Sequence, residues 1–275
     1  MDYFQNQMKK LSKLGCALFA IAIAAFGIEY LLYASGVDGL RPGPPWSPVR
    51  VPWTWVIGCA FLLAALGIVI RTTARWAAIL LAGAFLLRVL FIQLPVLFRD
   101  LHNPTYWTPA FEVLAMSGVA LLVAGVCANH DSHPDATDLI LQLGRFIFAL
   151  SLPVFGIQHF LYAAYVATFI PGWIPGRLFW AYFVGVAFIA AAASIATRIK
   201  GTLAAILLGT MFFLWVLMLH LPRVASAPHN GDEWTSACVA LAMAGGAFML
   251  AGALSKKNEF REILTVLCCG NEILG

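Results

Sequence analysis

The chain has 275 residues, of which 61% are hydrophobic and only 11% charged, with a formal net charge of +4; soluble domains carry roughly 25% charged residues. So little charge cannot cover a water-soluble fold of this size, and the composition also excludes disordered, collagenous, coiled-coil and disulfide-rich secreted classes. A polytopic membrane protein remains, and its basic residues, dispersed in short segments, read as topology signals rather than as a nucleic-acid surface.

A bilayer-spanning helix needs about 17–25 apolar residues. Eight segments qualify, approximately 14–34, 53–70, 76–96, 109–127, 144–168, 178–196, 201–221 and 235–254. They are continuous rather than alternating, which argues against a β-barrel, and helices are the other way to satisfy a backbone in lipid. The basic start, Lys9, Lys10 and Lys13, precedes an apolar run too long for a signal-peptide core and without an A-x-A end, which predicts a retained first span. With the N-terminus inside, Lys9, Lys10, Lys13, Arg71, Arg75, Arg145, Arg198, Lys200, Lys256, Lys257 and Arg261 fall on the inner side. Only Arg41, Arg50, Arg99, Arg177 and Arg223 fall outside. This bias predicts that both termini face the cytoplasm.

The two halves of the chain match one another. Phe26-Gly27-Ile28-Glu29-Tyr30-Leu31-Leu32-Tyr33 aligns with Phe155-Gly156-Ile157-Gln158-His159-Phe160-Leu161-Tyr162. At a spacing of about 127 residues, Trp53 pairs with Trp180, Gly58 with Gly185, Phe61 with Phe188 and Arg71 with Arg198. Ala77–Leu81 pairs with Ala204–Leu208, Gln93-Leu94-Pro95 with His220-Leu221-Pro222, and Trp107-Thr108 with Trp234-Thr235. An even number of spans per half keeps both halves the same way up, so the expected fold is an all-α bundle of eight spans in two parallel four-helix repeats. The expected units are residues 1–128, a polar acidic linker over 129–142, residues 143–254 and a cytoplasmic tail over 255–275. Each half also has a Pro-, Gly- and Trp-rich outer loop after its first span, Leu40–Pro48 and Ile170–Gly176, suited to lying on the outer surface or capping the bundle.

Charges inside spans need a partner or a wet cavity. Glu29, Arg88 and Glu112 all fall toward the outer end of the first half. Arg88 between two carboxylates suits either a closed ion network that fixes helix packing or a polar pocket. The second half has Gln158 where the first has Glu29, Trp215 where it has Arg88 and Val239 where it has Glu112, and it adds His159 and His220. Ionic packing required by the fold itself would be expected in both halves, so its restriction to one favours a specific role. The candidate pocket is therefore Glu29, Arg88, Glu112, Gln158, His159 and His220. Two separated histidines are better served by satisfied interfacial roles than by proton or metal chemistry. Six scattered cysteines show no CxxC or metal spacing and read as small apolar residues in helices. Cys268-Cys269 lies in the tail, where Phe260, Ile263, Leu264, Val266 and Leu267 give a short amphipathic pattern. His229–Glu233 reads as a solvated turn. Nothing matches a nucleotide-binding loop, HExxH or a nucleophile elbow.

The segment Phe155-Gly156-Ile157-Gln158-His159-Phe160, the following Pro171…Trp173…Pro175 loop and Phe179-Trp180-Ala181-Tyr182-Phe183-Val184-Gly185 resemble bacterial DoxX-like membrane proteins, which form four-helix units. The resemblance covers about 14–254 and departs in the first half, where Glu29-Tyr30 replaces Gln158-His159. It implies a tandem pair of such units in a bacterial cytoplasmic (inner) membrane, and for some relatives a role as a membrane subunit in quinone-coupled thiosulfate oxidation. Three functions fit the residues: a redox accessory that handles a quinone or small reductant beside a membrane or periplasmic redox partner, a small-solute or ion transporter, and a non-catalytic structural or partner-binding protein. Pro153-Val154-Phe155-Gly156 is the expected helix break under the transporter reading.

Overall fold

The computed structural model describes residues 2–32, 50–128 and 134–270. The first Pro/Gly/Trp-rich loop, residues 129–133 of the expected linker and residues 271–275 lie outside the described residues, as do the tail side chains from Lys256 on, including Cys268-Cys269. Every regular element among the described residues is helical. In chain order these are α1 (Asp2–Leu32), α2 (Arg50–Val69), α3 (Ala74–Leu97), α4 (Pro104–Val126), α5 (Pro134–Leu161), the short α6 (Ala163–Phe169), α7 (Arg177–Thr197), α8 (Gly201–Ser226) and α9 (Gly231–Gly270).

Seven of these, all but α2 and α6, are long and apolar enough to cross a membrane, and the protein is an all-helical polytopic membrane bundle. The apolar part of α2, Trp53–Val69, is shorter. Some helices overrun the apolar runs that predict them. Helix α1 starts at Asp2, so the basic residues before Leu14 ride on its first turns. Helix α5 starts at Pro134, inside the expected linker, and α9 continues past Ser255 to Gly270. Proline at the first position of α5 costs no hydrogen bond, because that N–H has no helical partner in any case.

Neighbours in sequence pack side by side: α1 with α2, α2 with α3, α3 with α4, α4 with α5, then α5 with α7, α7 with α8 and α8 with α9. The most extensive contact closes the ring, α9 against α1. Helices α4 and α9 also touch across the middle. Burial agrees with that placement: 89% of the apolar window of α9 and 67% of that of α4 is buried, against 50% or less in every other span. Both central helices are rich in small residues, such as Ala115, Ser117, Gly118 and Ala120 on α4 and Ala242, Ala244, Gly245 and Gly246 on α9. In lipid, where Leu gains nothing by leaving the solvent, close backbone approach of this kind is what holds helices together. A methyl group built on Gly15 would stand 2.5 Å from the Gly245 carbonyl oxygen, and one on Gly144 would stand 2.8 Å from that of Gly118. The outer faces carry the large side chains, for example Leu80, Phe91, Leu150 and Leu207, that face the lipid.

Two helices change pitch at matching places. Val89–Gln93 in α3 and Val216–His220 in α8 are π-helical turns, in which Leu94 and Leu221 donate to Val89 and Val216. Each precedes Leu-Pro. A proline ring crowds the carbonyl four residues back and offers it no N–H, and a widened turn relieves that crowding. By contrast, α5 runs unbroken through Pro153 to Leu161. The expected break falls instead at Tyr162, between α5 and α6.

Candidate functional site

The sequence-predicted site residues gather at the end of the bundle away from the two termini, but not as one cluster. Glu29, near the end of α1, is 3% exposed and accepts a 2.7 Å hydrogen bond from the Thr235 hydroxyl on α9. Its other carboxyl oxygen is buried without a hydrogen-bond partner. Gln158, near the end of α5, accepts a 3.1 Å bond from the Thr108 hydroxyl on α4. These two bonds sit on the seams α1–α9 and α4–α5, two of the four seams where paired glycines bring the backbones together. In each, a threonine early in one helix, Thr235 on α9 or Thr108 on α4, reaches the polar residue near the end of another, Glu29 on α1 or Gln158 on α5. Sequence alignment pairs Glu29 with Gln158 and Thr108 with Thr235, but does not reveal that the partners cross between halves.

Among the described residues no ion pair joins Arg88 to Glu29 or to Glu112. Its guanidinium lies beside Tyr30, within reach of the hydroxyl. Glu112, half-buried on α4, makes no hydrogen bond or ion pair among the described residues. The expected three-charge network is therefore an arrangement in which Glu29 turns to α9 and Arg88 to α1.

Tyr30 and Arg88 belong to an aromatic cluster between α1, α2 and α3. Phe61 is its hub, 5.6 Å from Tyr30, 6.3 Å from Phe26 and 5.9 Å from Phe85 between ring centroids. The second half holds a counterpart between α5, α7 and α8. Phe188 is its hub, 5.3 Å from His159, 5.9 Å from Phe155 and 5.6 Å from Phe212. The polar pair Tyr30 and Arg88 is replaced by His159 stacked on Trp215, with ring centroids 6.3 Å apart and planes 15° from parallel. His159 Nδ1 lies 2.8 Å from the Phe155 carbonyl oxygen. A carbonyl only accepts, so Nδ1 carries the hydrogen and Nε2 of the neutral ring is left as an acceptor. Nε2 has no hydrogen-bond partner among the described residues. The imidazole is thus fixed in tautomer and orientation, half-buried, with one acceptor unspent.

His220 closes the π-turn of α8 with its Nδ1 buried and unbonded, and Gln93, at the matching position of α3, is 7% exposed. Neither joins the His159 cluster through a ring contact or hydrogen bond shown by the structure. Among the described residues no three His, Cys, Asp or Glu side chains gather as a metal site needs. Cys16 donates to the Met249 sulfur at 3.3 Å across the α1–α9 seam, and Cys16, Cys59, Cys127 and Cys238 are unbridged.

One polar feature was not singled out from the sequence. On the loop beyond α6, a surface cleft is lined by Arg177 and Arg223, and Arg223 bonds Glu233 at 2.5 Å while lying over Phe169 at 4.4 Å. The Pro/Gly-rich character of Ile170–Gly176 was the available signal. No family model, curated protein or solved structure matches the chain. What its own structure establishes is an all-helical polytopic membrane protein with several long apolar spans.

Proposed function

We propose that the chain is a DoxX-like accessory protein of the bacterial cytoplasmic membrane that offers an aromatic–histidine niche to a quinone or similar small reductant, alongside a membrane or periplasmic redox partner. The carrying observation is His159, held by the Phe155 carbonyl, stacked on Trp215 and left with a free Nε2 acceptor. A hydroquinone hydroxyl is a donor matched to that nitrogen, and its flat ring suits the surrounding aromatic edges. Tyr30 beside Arg88 presents cationic and hydroxyl donors at the matched place in the first half, suited to a quinone carbonyl. Glu29, Arg88, Glu112, Gln158, His159 and His220 are the proposed polar set.

The proposed architecture is eight spans in two parallel four-helix repeats with both termini cytoplasmic. It is supported by the matched glycine seams, π-turns, threonine bonds and aromatic hubs, and by the basic residues that crowd one side. The eighth span is α2, whose 20 residues reach about 30 Å. Reporter fusions at Arg71 and Lys256 are expected to read cytoplasmic, and a fusion at Arg99 external; a reversed or mixed pattern would refute the arrangement.

The function is tested by extracting quinones from purified wild type and His159→Phe, which keeps the stacking but removes Nε2. One hydrogen bond corresponds to about 1 kcal/mol, so quinone retention should fall roughly fivefold. Equal retention by both, or none by the wild type, would overturn the reading. A second reading, coupled transport of a small solute or ion, is favoured by Glu29, with one carboxyl oxygen bonded and one unbonded in a 3% exposed site. Its test is uptake into proteoliposomes, abolished in Glu29→Gln.

A further inference from the structure

The cleft beyond α6 has a volume of about 560 Å³ and is lined by Phe169, Gly172, Arg177, Met218, Pro222 and Arg223, among others. Its two cations are not equivalent. Arg223 is bonded to Glu233 and spread over the Phe169 ring, so its position is fixed and its charge largely balanced. Arg177 has no acidic partner among the described residues. The pair together with Glu233 leaves the cleft one net positive charge. The segments that supply its lining also carry exposed aromatic side chains, Trp173 beside Gly172, Phe179 and Trp180 just after Arg177, and Tyr165 in ring contact with Phe169. Such a belt marks the level of lipid headgroups, with the polar tips wet and the ring bodies apolar. Below the cations the lining turns apolar at Met218, and Leu217 and Leu221 on the same helix are exposed to lipid.

From this juxtaposition we infer that the cleft is a binding site for an anionic phospholipid, its phosphate set between Arg177 and Arg223 and its acyl chain laid along α8. A soluble anion would meet the same cations but would gain nothing from the apolar lower wall or the aromatic rim. The arginine fork suits a phosphate diester, whose oxygens accept from several N–H groups at once. The site needs no quinone and does not depend on the His159 niche.

The test is native mass spectrometry of the full-length protein reconstituted with equal phosphatidylglycerol and phosphatidylcholine. Wild type is expected to retain phosphatidylglycerol over phosphatidylcholine by roughly fivefold, the size of one cation's interaction with an anionic headgroup. Arg177→Gln, an exposed position, should abolish that preference while melting as wild type does. Glu233→Gln frees the charge of Arg223 and should strengthen the preference. An unchanged preference in Arg177→Gln, or a weakened one in Glu233→Gln, would overturn the assignment. So would loss of bound lipid on adding millimolar inorganic phosphate at constant ionic strength, since that outcome assigns the cleft to a soluble anion.

Discussion

Replacing Gly15 by alanine tests the seam that closes the helical ring. A methyl group there would meet the Gly245 carbonyl oxygen at 2.5 Å, the Met249 Cγ at 2.8 Å and the Met249 backbone nitrogen at 2.9 Å, whereas ordinary contact begins at 3.4 Å. Two of these three atoms are helix backbone, which cannot swing aside, so α1 and α9 must part by roughly an ångström along a seam that also holds the Cys16–Met249 contact. Overpacking of this kind costs about 1–3 kcal/mol. Alanine's better helix propensity returns at most about 1 kcal/mol. The net loss expected is about 1–2 kcal/mol, or a melting temperature lowered by roughly 2–6 °C. Gly83→Ala is the control, because a methyl group there meets nothing within 4 Å, leaving only the propensity gain. In detergent-solubilised protein followed by intrinsic fluorescence, the two substitutions should therefore shift the melt in opposite directions. If Gly15→Ala melts at or above the wild-type temperature, the close α1–α9 backbone contact does not hold the ring.

Thr235→Val should lower stability by about 1–2 kcal/mol, since it strands the buried Glu29 carboxylate, while Thr108→Val should cost less because Gln158 is only half-buried; paired thermal melts compare them. Arg198 and Lys200 turn the chain between α7 and α8 with φ of 64° and 52°, a left-handed conformation that strains side chains. Lys200→Gly should therefore raise the melting temperature slightly, corresponding to about 0.5–1 kcal/mol, and a lowered one would count against strain at this turn. Glu233→Gln should cost no more than about 1 kcal/mol, because Arg223 is 33% exposed, and the difference should shrink in high salt. A loss that salt leaves unchanged would argue against the Arg223–Glu233 ion pair as its source.

Much of the fold was legible as sequence because lipid imposes a length and a composition on every span. The apolar runs locate the helices to within a few residues where a turn ends them, as at Thr197 and Gly201. They miss the ends where a helix simply continues into water, as at Asp2 and Pro134, because hydropathy records the lipid boundary and not the end of hydrogen bonding. The polar residues were legible as candidates, but their partnerships were not. Three charges at one depth suggest one cluster, yet depth fixes only a coordinate along the membrane normal. Around the helix axis, Glu29 faces α9 while its neighbour Tyr30 faces Arg88, a consequence of the 100° step between successive residues.

The amino-acid sequence by itself determined that this is a helical membrane protein with several long apolar spans, because apolar length is a property of the chain alone. Only the tertiary structure decided that α1 takes α9 as its principal partner, that Thr235 and Thr108 reach across to Glu29 and Gln158, and that His159 lies on Trp215. In a soluble protein the apolar stripe of a helix would point to its core. In lipid both faces are apolar, so the choice of partner rests on small residues and buried hydrogen bonds whose fit exists only once two helices meet.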